Sequence, residues 1–234
     1  MLMLHEHIIP VSSISCKLFF LCSTALYEKN DSCYTVYSKD SGKRITISVN
    51  GRTQRGGLQK MKKIEEYVRS IPDFPEPGII FRDVTSVLQD ADGLHLAIDE
   101  MQSLLKDVDV DVIVGTESRG FIFGMPIAYN LHKPFVLVRK KGKLPCETIS
   151  ATYDLEYGSA TIEMHKDSIK PGQKVAIIDD LIATGGTIEA AVSLIEQLGG
   201  EVVKIVFLME LAGLKGRERL AGYDVASVIC YDGK

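Results

Sequence analysis

Residues 175–187 read VAIIDDLIATGGT. The run 175–178 is apolar and mostly β-branched, which is typical of a strand buried on both faces of a parallel sheet. Two adjacent aspartates, Asp179 and Asp180, end that run, and a glycine-containing turn at 184–187 leads into an apolar-periodic segment. The stretch therefore predicts a buried strand, a tight turn and the start of a helix.

The same alternation of apolar runs and helical stripes continues on both sides of this stretch. Apolar runs predict strands at 78–84, 110–115, 134–140, 174–180, 202–208 and 225–230. Helical spacing predicts helices at 94–105, 186–198 and near 213–220, with a further apolar segment at 121–131. Strands alternating with helices indicate an α/β fold with a mostly parallel twisted sheet flanked by helices. Ligands bind beyond the carboxyl ends of the strands in such folds, so we expect the chemistry there.

The segment just before this pattern also has a helical stripe. Ile64, Tyr67, Val68 and Ile71 lie at spacings of three and four residues, and Pro72 follows them. This spacing predicts a helix that ends at the proline.

Composition narrows the class of protein. The 234 residues are 45% hydrophobic and 25% charged, with a formal net charge of −4, so we expect no nucleic-acid and no membrane partner. No apolar run reaches the roughly 18 residues of a membrane-spanning helix. The five cysteines include no CxxC pair, which favours reduced thiols in a cytoplasmic protein.

Residues 1–60 differ from the remainder in charge. They contain 8 Lys and Arg against 4 Asp and Glu, whereas residues 61–234 contain 19 against 27. A signal peptide and a small DNA-binding appendage are two interpretations of this segment. We favour a third, in which 1–60 is a disordered extension or the product of a misplaced start codon. Met61 then begins the natural chain, and the preceding Arg-Gly-Gly is a translated purine-rich ribosome-binding sequence.

The turn after the two aspartates has the features of an anion site. Its residues offer successive backbone N–H groups, and its glycines permit positive φ and close approach of a ligand. The following helix adds its dipole. The loop residues predicted to bind phosphate are Ala183, Thr184, Gly185, Gly186 and Thr187. The spacing matches neither GxxxxGK[ST] nor GxGxxG.

Two carboxylates beside a phosphate would repel it unless they address hydroxyl groups or a metal. A ribose 5-phosphate suits both parts, with phosphate in the loop and the 2- and 3-hydroxyls on Asp179 and Asp180. The alternative is an acidic turn with a helix cap, which explains one aspartate but not the combination.

The stretch IIDDLIATGGT closely resembles the phosphoribosyl-pyrophosphate-binding motif of the type I phosphoribosyltransferases. Further segments are similar to the adenine phosphoribosyltransferases of that family, and the resemblance covers about 61–230. These segments are PGIIFRD (77–83), GTESRGFIFG (115–124), RKKGKLP (139–145), ETISATYDLEYG (147–158) and ELAGLKGRE (210–218).

The resemblance implies a purine-salvage enzyme that transfers the 5-phosphoribosyl group from phosphoribosyl pyrophosphate to adenine, giving AMP and pyrophosphate. Transfer to xanthine or hypoxanthine is an alternative, as is a regulator that binds phosphoribosyl pyrophosphate without catalysis. The segment 141–165 has few long apolar runs and predicts a flexible hood that closes over the substrate. The resemblance also implies a homodimer.

Cations are needed because the pyrophosphate leaving group carries several negative charges. Arg119 follows a predicted strand, and Arg139, Lys140 and Lys143 form a basic cluster, so these four are predicted to bind phosphoribosyl pyrophosphate. Mg²⁺, held mainly through the substrate, would neutralise the remaining charge. The alternative for 139–143 is a solvated charge run.

The acceptor base needs acid–base help and a stacking surface. The resemblance makes Glu156 the acid–base group, with Tyr157 shaping the closed site, although both could be exposed hairpin residues. It also places adenine against four residues, Ile80, Phe81, Arg82 and Leu211. Phe81 and Leu211 could equally be core residues. A redox role for Cys146 would need a lowered pKa, which the sequence does not show.

Overall fold

A computed structural model describes the chain fully at 62–153 and 158–233, with the backbone alone at 154. Of the first 61 residues it describes only the backbone of five strands. The chain divides into two units, 1–62 and 63–234. In the first unit, β1 (Leu2–Leu4) pairs antiparallel with β2 (His7–Ile9). Strands β3 (Ala25–Asn30), β4 (Cys33–Ser38) and β5 (Lys43–Ser48) form an antiparallel sheet.

The second unit is built on a seven-stranded sheet. Its strands are β8 (Val112–Thr116), β9 (Phe135–Lys140), β10 (Thr148–Asp154), β11 (Ser159–His165), β12 (Lys174–Ile182), β13 (Glu201–Leu211) and β14 (Val225–Tyr231). The spatial order is β10-β11-β9-β8-β12-β13-β14. Five neighbouring strands in this order are parallel to one another, namely β9, β8, β12, β13 and β14. The predicted α/β fold with a mostly parallel sheet is confirmed.

Helices cover both faces of this sheet. They are α1 (Thr85–Leu88), α2 (Ala91–Ser103), α3 (Arg119–Leu131), α4 (Gly186–Gln197) and α5 (Gly216–Arg219), with 3-10 turns at Ile64–Tyr67 and Ala212–Leu214. Successive residues of β12 point to opposite layers: Ala176 and Ile178 pack with α2 and α3, whereas Val175 and Ile177 pack with α4. The strand is apolar on both faces because helices lie on both sides of it. Among the described residues, no helix is long and apolar enough to cross a membrane.

The hood segment is a hairpin. Strands β10 and β11 pair antiparallel without a register shift, from Thr148 opposite His165 to Asp154 opposite Ser159. The hairpin joins the sheet through only two paired positions on β9, at Lys140 and Arg139. Its closure over a substrate stays a prediction.

The helix predicted from the stripe at 64–71 is wrong. Only the 3-10 turn Ile64–Tyr67 forms, and the chain is extended from Val68 onward. Strand β6 (Arg69–Pro72) then pairs antiparallel with β7 (Ile80–Asp83), which places Ile71 opposite Phe81. Backbone pairing with a distant strand outweighs a local helical pattern here.

Candidate active site

The two aspartates lie where the sequence predicts them. Asp179 and Asp180 are near the carboxyl end of β12, which lies between β8 and β13 in the middle of the sheet. The loop 183–185 connects this strand to α4. The acidic pair and the turn therefore occupy the edge of the sheet where α/β folds bind ligands.

The turn has the backbone geometry of an anion cradle. Gly185 adopts φ +81° at the N-cap of α4, and Gly186 opens the helix. A Cβ on Gly185 would lie 2.6 Å from the carbonyl oxygen of Gly216, so a larger residue does not fit. No side chain caps this helix at Gly185, which leaves its first amides available to an anion. Thr184 is exposed and Thr187 half-buried, whereas Gly185 and Gly186 are buried, so solvent reaches the turn at its two threonines.

The second aspartate is paired with a cation. Arg119, at the start of α3, donates from Nε to Oδ2 of Asp180. Asp180 is only 5% exposed, whereas the Arg119 side chain is half exposed. Burial alone would lower the pKa of Arg119, but the Asp180 hydrogen bond and the charges of Asp180, Asp179 and Asp83 raise it. The cation predicted to bind pyrophosphate thus also contacts an aspartate that is predicted to bind the sugar.

The first aspartate has the opposite electrostatic environment. Burial, followed by repulsion from Asp180, raises the pKa of Asp179 well above its usual value. The backbone N–H of Asp180 donates to Asp179 Oδ1 at 2.9 Å and offsets part of this effect. The buried Thr116 hydroxyl also lowers the pKa but lies outside good hydrogen-bond geometry. A Cβ on Gly120 would lie 2.8 Å from Asp179 Oδ1, so this glycine lets α3 approach the carboxylate.

Arg139 is held by a glutamate that the sequence analysis did not select. Glu117 accepts from Nε and Nη2 of Arg139, both at 3.2 Å, and from the backbone N–H of Lys140 at 3.0 Å. The Arg139 hydrogen bond is the main cause of a lowered pKa for Glu117. Since a carboxylate fork fixes a guanidinium in one plane, Arg139 has a defined orientation at the end of β9.

The basic turn after Arg139 is held in place by a glutamate on the neighbouring strand β11. Glu163 on β11 is 5% exposed and accepts the backbone N–H groups of Lys143 and Leu144 at 3.1 and 3.0 Å. Arg139 donates from Nη1 to the Lys143 carbonyl at 3.2 Å. The side chains of Lys140 and Lys143 are left exposed. The cluster 139–143 is therefore a structured turn with exposed ammonium groups.

The residues predicted for the base form a partly open aromatic wall. Ile80 and Phe81 on β7 are 42% and 41% exposed, so neither is a core residue. Phe81 contacts Phe74 edge to face, with ring centroids 5.3 Å apart. Phe74 is 51% exposed and was not predicted from the sequence.

Arg82 and Leu211 are connected through Tyr231. The guanidinium carbon of Arg82 lies 4.0 Å from the centroid of the Tyr231 ring, and Arg82 Nη1 donates to Ser70 Oγ. Leu211 pairs with Tyr231 across β13 and β14. Tyr231 is a residue that sequence reasoning missed, because a tyrosine in a strand near the end of the chain carries no local signal of a site.

Two predicted residues remain to be placed. Glu156 and Tyr157 lie outside the described residues, between the two strands of the hairpin. Their roles stay predictions. Cys146, beside the basic turn, is exposed and has φ +66°.

Known proteins resemble this chain in sequence and in fold. The sequence profile of the phosphoribosyl transferase domain matches residues 86–230, more than half of the chain. An adenine phosphoribosyltransferase of Lachnoclostridium phytofermentans is 79% identical over 174 residues, which are 74% of this chain and 100% of the relative. The chain belongs to the adenine phosphoribosyltransferase family.

Solved structures of this adenine phosphoribosyltransferase family share the fold. The enzyme from Thermoanaerobacter pseudethanolicus has a TM-score of 0.69 at 50% identity, covering 72% of this chain and 98% of the other. The Saccharomyces cerevisiae enzyme was crystallised with adenine and D-2,5-dideoxy-2,5-imino-altritol 1,6-bisphosphate. Its TM-score is 0.66 at 40% identity, covering 70% of this chain and 95% of the other. The predicted type I phosphoribosyltransferase fold is thereby confirmed.

Proposed function

We propose that this chain transfers the 5-phosphoribosyl group of phosphoribosyl pyrophosphate to adenine, releasing AMP and pyrophosphate in purine salvage. One observation carries the proposal. Asp179 and Asp180 come just before an uncapped, glycine-lined helix start, so two carboxylates lie close along the chain to amides that could bind an anion. This combination fits a sugar phosphate.

The donor would bind with its 5-phosphate on the amides of 183–187. The ribose hydroxyls would then donate to the carboxylates of Asp179 and Asp180. Arg119 bonds Asp180 and its side chain is half exposed, so its guanidinium would lie between the sugar and the leaving group of a bound donor. Arg139, Lys140 and Lys143 would bind the pyrophosphate. Glu117 accepts from the Arg139 side chain and the Lys140 backbone, and Glu163 accepts from the Lys143 backbone, so all three residues are held in place.

Mg²⁺ would be held mainly by the donor. The described residues contain no group of three or more His, Cys, Asp or Glu suited to a metal. Asp180 already accepts a hydrogen bond from Arg119, and the carboxylates of Asp179 and Asp83 also act on the charge of Arg119. These residues would supply few ligands of their own, which fits an ion held mainly through the donor. When bound, it neutralises charge on the departing pyrophosphate.

The acceptor base would stack on Phe81, with Leu211 on the other side and Ile80 and Arg82 at its edge. Bond formation at N9 of adenine displaces pyrophosphate from C1 of the ribose and leaves a proton to be removed. Glu156 would manage that proton, and Tyr157 would help to close the site. General acid–base help of this kind accelerates reactions by about 10²–10⁴.

A panel of bases tests the proposed function. Pyrophosphate release is measured with phosphoribosyl pyrophosphate and adenine, guanine, hypoxanthine or xanthine under identical conditions. We expect the highest kcat/KM with adenine. A preference for hypoxanthine or xanthine would make that base the acceptor instead of adenine. Absence of turnover with every base would favour a regulator that binds the donor without catalysis.

A homodimer is also part of the proposal. Ile122, Met125 and Tyr129 lie along one side of α3 and are 42%, 54% and 81% exposed. Phe135 contacts Gly124 of the same helix, so Leu137, two residues along β9 and 36% exposed, faces the same side of the sheet. An exposed apolar area of this kind favours an interface between copies. Sedimentation equilibrium tests it, because Met125→Glu should shift a dimer towards monomer.

We further propose that the active unit begins at Met61 and acts in the cytoplasm. The 174-residue match to the full length of a relative leaves 60 residues of this chain outside it. Equal base-panel kinetics for the full chain and for 61–234 would support this, and loss of AMP formation by 61–234 would contradict it. Detection of a natural peptide from 1–40 by mass spectrometry would contradict the misplaced start codon.

A further inference from the structure

Arg217, in the four-residue helix α5, is fixed by a network that the proposed mechanism does not use. Its Nε donates to both carboxylate oxygens of Glu210, at 2.7 and 2.8 Å. Its Nη1 donates to the Val225 carbonyl at 2.6 Å, and its Nη2 to Ser227 Oγ at 2.9 Å. Ser227 in turn donates to Glu210 Oε2 at 2.7 Å. All three guanidinium nitrogens therefore bind the ends of β13 and β14.

Glu210 belongs to β13, and its carboxylate is a buried charge. It is 7% exposed and pairs with Ile182 at the carboxyl end of β12. The Arg217 hydrogen bond is the main cause of a lowered pKa for Glu210. An ionised, buried carboxylate is costly unless it is paired, so this pair specifies the position of α5.

Gly216, the residue before Arg217, lies directly against the turn 183–187 that is proposed to bind phosphate, the phosphate turn. A Cβ on Gly216 would lie 2.3 Å from the carbonyl oxygen of Ala183 and 2.7 Å from Ile182. In the reverse direction, a Cβ on Gly185 would lie 2.6 Å from the Gly216 carbonyl oxygen. The two glycines let two backbone segments meet without side chains between them. The turn 183–185 therefore has the Gly216 backbone as a wall.

We infer that Arg217 and Glu210 are positioning residues for the phosphate turn, acting through Gly216. Their ion pair holds α5 against the turn, so the amides of 183–187 keep the geometry that a phosphate requires. The ligand addressed is the 5-phosphate of a sugar phosphate. This inference rests on the proposed use of the turn as a phosphate site.

The simpler alternative is an ion pair that only attaches α5 to the sheet. Removing it would then lower stability without a selective effect on one substrate. A positioning role predicts weaker binding of the sugar phosphate while the base is bound as before. The two readings are therefore separated by the KM values of the two substrates.

The experiment compares Arg217→Gln with Arg219→Gln. Arg219 lies in the same helix and pairs with Glu189 across an exposed contact at 3.2 Å, so it controls for loss of a cation from α5. Steady-state kinetics give KM for phosphoribosyl pyrophosphate and for adenine, and titration calorimetry gives Kd for ribose 5-phosphate. We expect Arg217→Gln to raise KM for phosphoribosyl pyrophosphate and Kd for ribose 5-phosphate about tenfold. The KM for adenine should stay within about twofold, and Arg219→Gln should change none of the three.

Further variants protect the test. If Arg217→Gln does not fold, Ser227→Ala removes one acceptor of the guanidinium and one donor to Glu210, and a smaller rise confined to the sugar phosphate is expected. Arg217→Lys keeps the charge but not the fork, and it should recover only part of the affinity. Combining Arg217→Gln with Glu210→Gln should weaken ribose 5-phosphate binding no more than the stronger single change.

Two results would overturn the inference. One is a Kd for ribose 5-phosphate that Arg217→Gln leaves unchanged. The other is an equal rise in both KM values with a matching loss in Arg219→Gln. Failure of the proposed function is distinguishable from both, because the unmodified chain would then give no AMP. Its ribose 5-phosphate titration would still report on the turn.

Discussion

Arg119 donates from Nε to Oδ2 of Asp180, so a cation proposed to bind pyrophosphate also binds a carboxylate that is proposed to bind the ribose. The neighbouring Asp179 lacks such a partner, and burial raises its pKa well above the usual value. Adjacent aspartates of one motif therefore have different surroundings. Asp180 is paired with a cation, whereas Asp179 retains a proton more readily than an ordinary carboxyl group.

Removing the guanidinium should destabilise the folded chain. Arg119→Met leaves the buried Asp180 carboxylate unpaired beside Asp179. Loss of one partner of a fully buried pair costs about 3–5 kcal/mol, but half exposure of Arg119 reduces this to about 1–2 kcal/mol. Urea unfolding at pH 7 measures the difference. Lys215→Met, which breaks an exposed pair with Glu218, is the control and should fall within about 0.5 kcal/mol of the unmodified chain.

Asp179 should make the free chain less stable as pH rises. The folded state binds its proton more tightly than the unfolded chain does, so this contribution is complete below about pH 4 and is lost as pH rises through the folded pKa. Asp179→Asn stays neutral and keeps an acceptor for the Asp180 N–H. Its Tm should therefore exceed that of the unmodified chain by an amount that grows with pH.

Asp109 supplies a control of opposite sign. A hydrogen bond to Lys174 lowers the pKa of Asp109, so its contribution to stability is present at neutral pH and is lost as pH falls through the folded pKa. Asp109→Asn should lower Tm at pH 7 and have no effect at low pH. Parallel Tm curves for both asparagine variants would contradict the assignment of opposite shifts.

Much of the fold follows from the sequence because the central strands are apolar on both faces. Runs at 110–115, 174–180 and 202–208 each become a parallel strand of the sheet. The turn after Asp180 was readable for the same reason, since strand, glycines and helix are contiguous. The helix predicted at 64–71 does not form, because part of this segment pairs as a strand with Ile80–Asp83, which the local pattern does not show.

Glu117 should matter for the pyrophosphate end of the donor. Glu117→Gln removes the charge that holds Arg139 in a two-point contact, and it places an amide donor against a guanidinium. Although the site becomes more positive, we expect loss of orientation to dominate and kcat/KM for phosphoribosyl pyrophosphate to fall about tenfold. Glu147→Gln, which affects an exposed pair with Lys166, should leave it unchanged. An increase in Glu117→Gln would mean that charge outweighs orientation.

Tyr231 should affect the base and not the donor. Its ring lies under the Arg82 guanidinium, a contact worth about 1 kcal/mol. Tyr231→Leu should raise KM for adenine roughly fivefold and leave KM for phosphoribosyl pyrophosphate unaltered. Tyr231→Phe retains the ring and should resemble the unmodified chain. Equal losses in both variants would assign the effect to the hydroxyl group instead.

Glu156 is tested by turnover. Glu156→Gln keeps the size of the side chain but cannot exchange a proton at neutral pH, so kcat should fall by about 10²–10⁴ while KM for adenine changes little. Pre-steady-state measurement of AMP formation separates this step from product release. A raised KM for adenine with normal kcat would make Glu156 a binding residue.

Three of the residues that sequence reasoning missed are glutamates that meet their partners only through the fold. Glu163 accepts amides some twenty positions earlier, and Glu117 binds an arginine on the next strand. Glu210 meets Arg217 only because the chain turns after β13. No spacing rule links such pairs. Their partners are fixed by the sheet order, which the sequence leaves open.

The most direct test asks whether the two aspartates of the motif at 175–187 are needed for use of phosphoribosyl pyrophosphate. Adenine and phosphoribosyl pyrophosphate are incubated with Mg²⁺ and either the unmodified chain or the double variant Asp179→Asn, Asp180→Asn, and ³¹P NMR monitors both products. We predict AMP and pyrophosphate in equal amounts with the unmodified chain, and a rate lowered by at least about 10²-fold with the folded double variant. Equal rates for the two proteins would contradict the assignment of these carboxylates to the ribose of the donor.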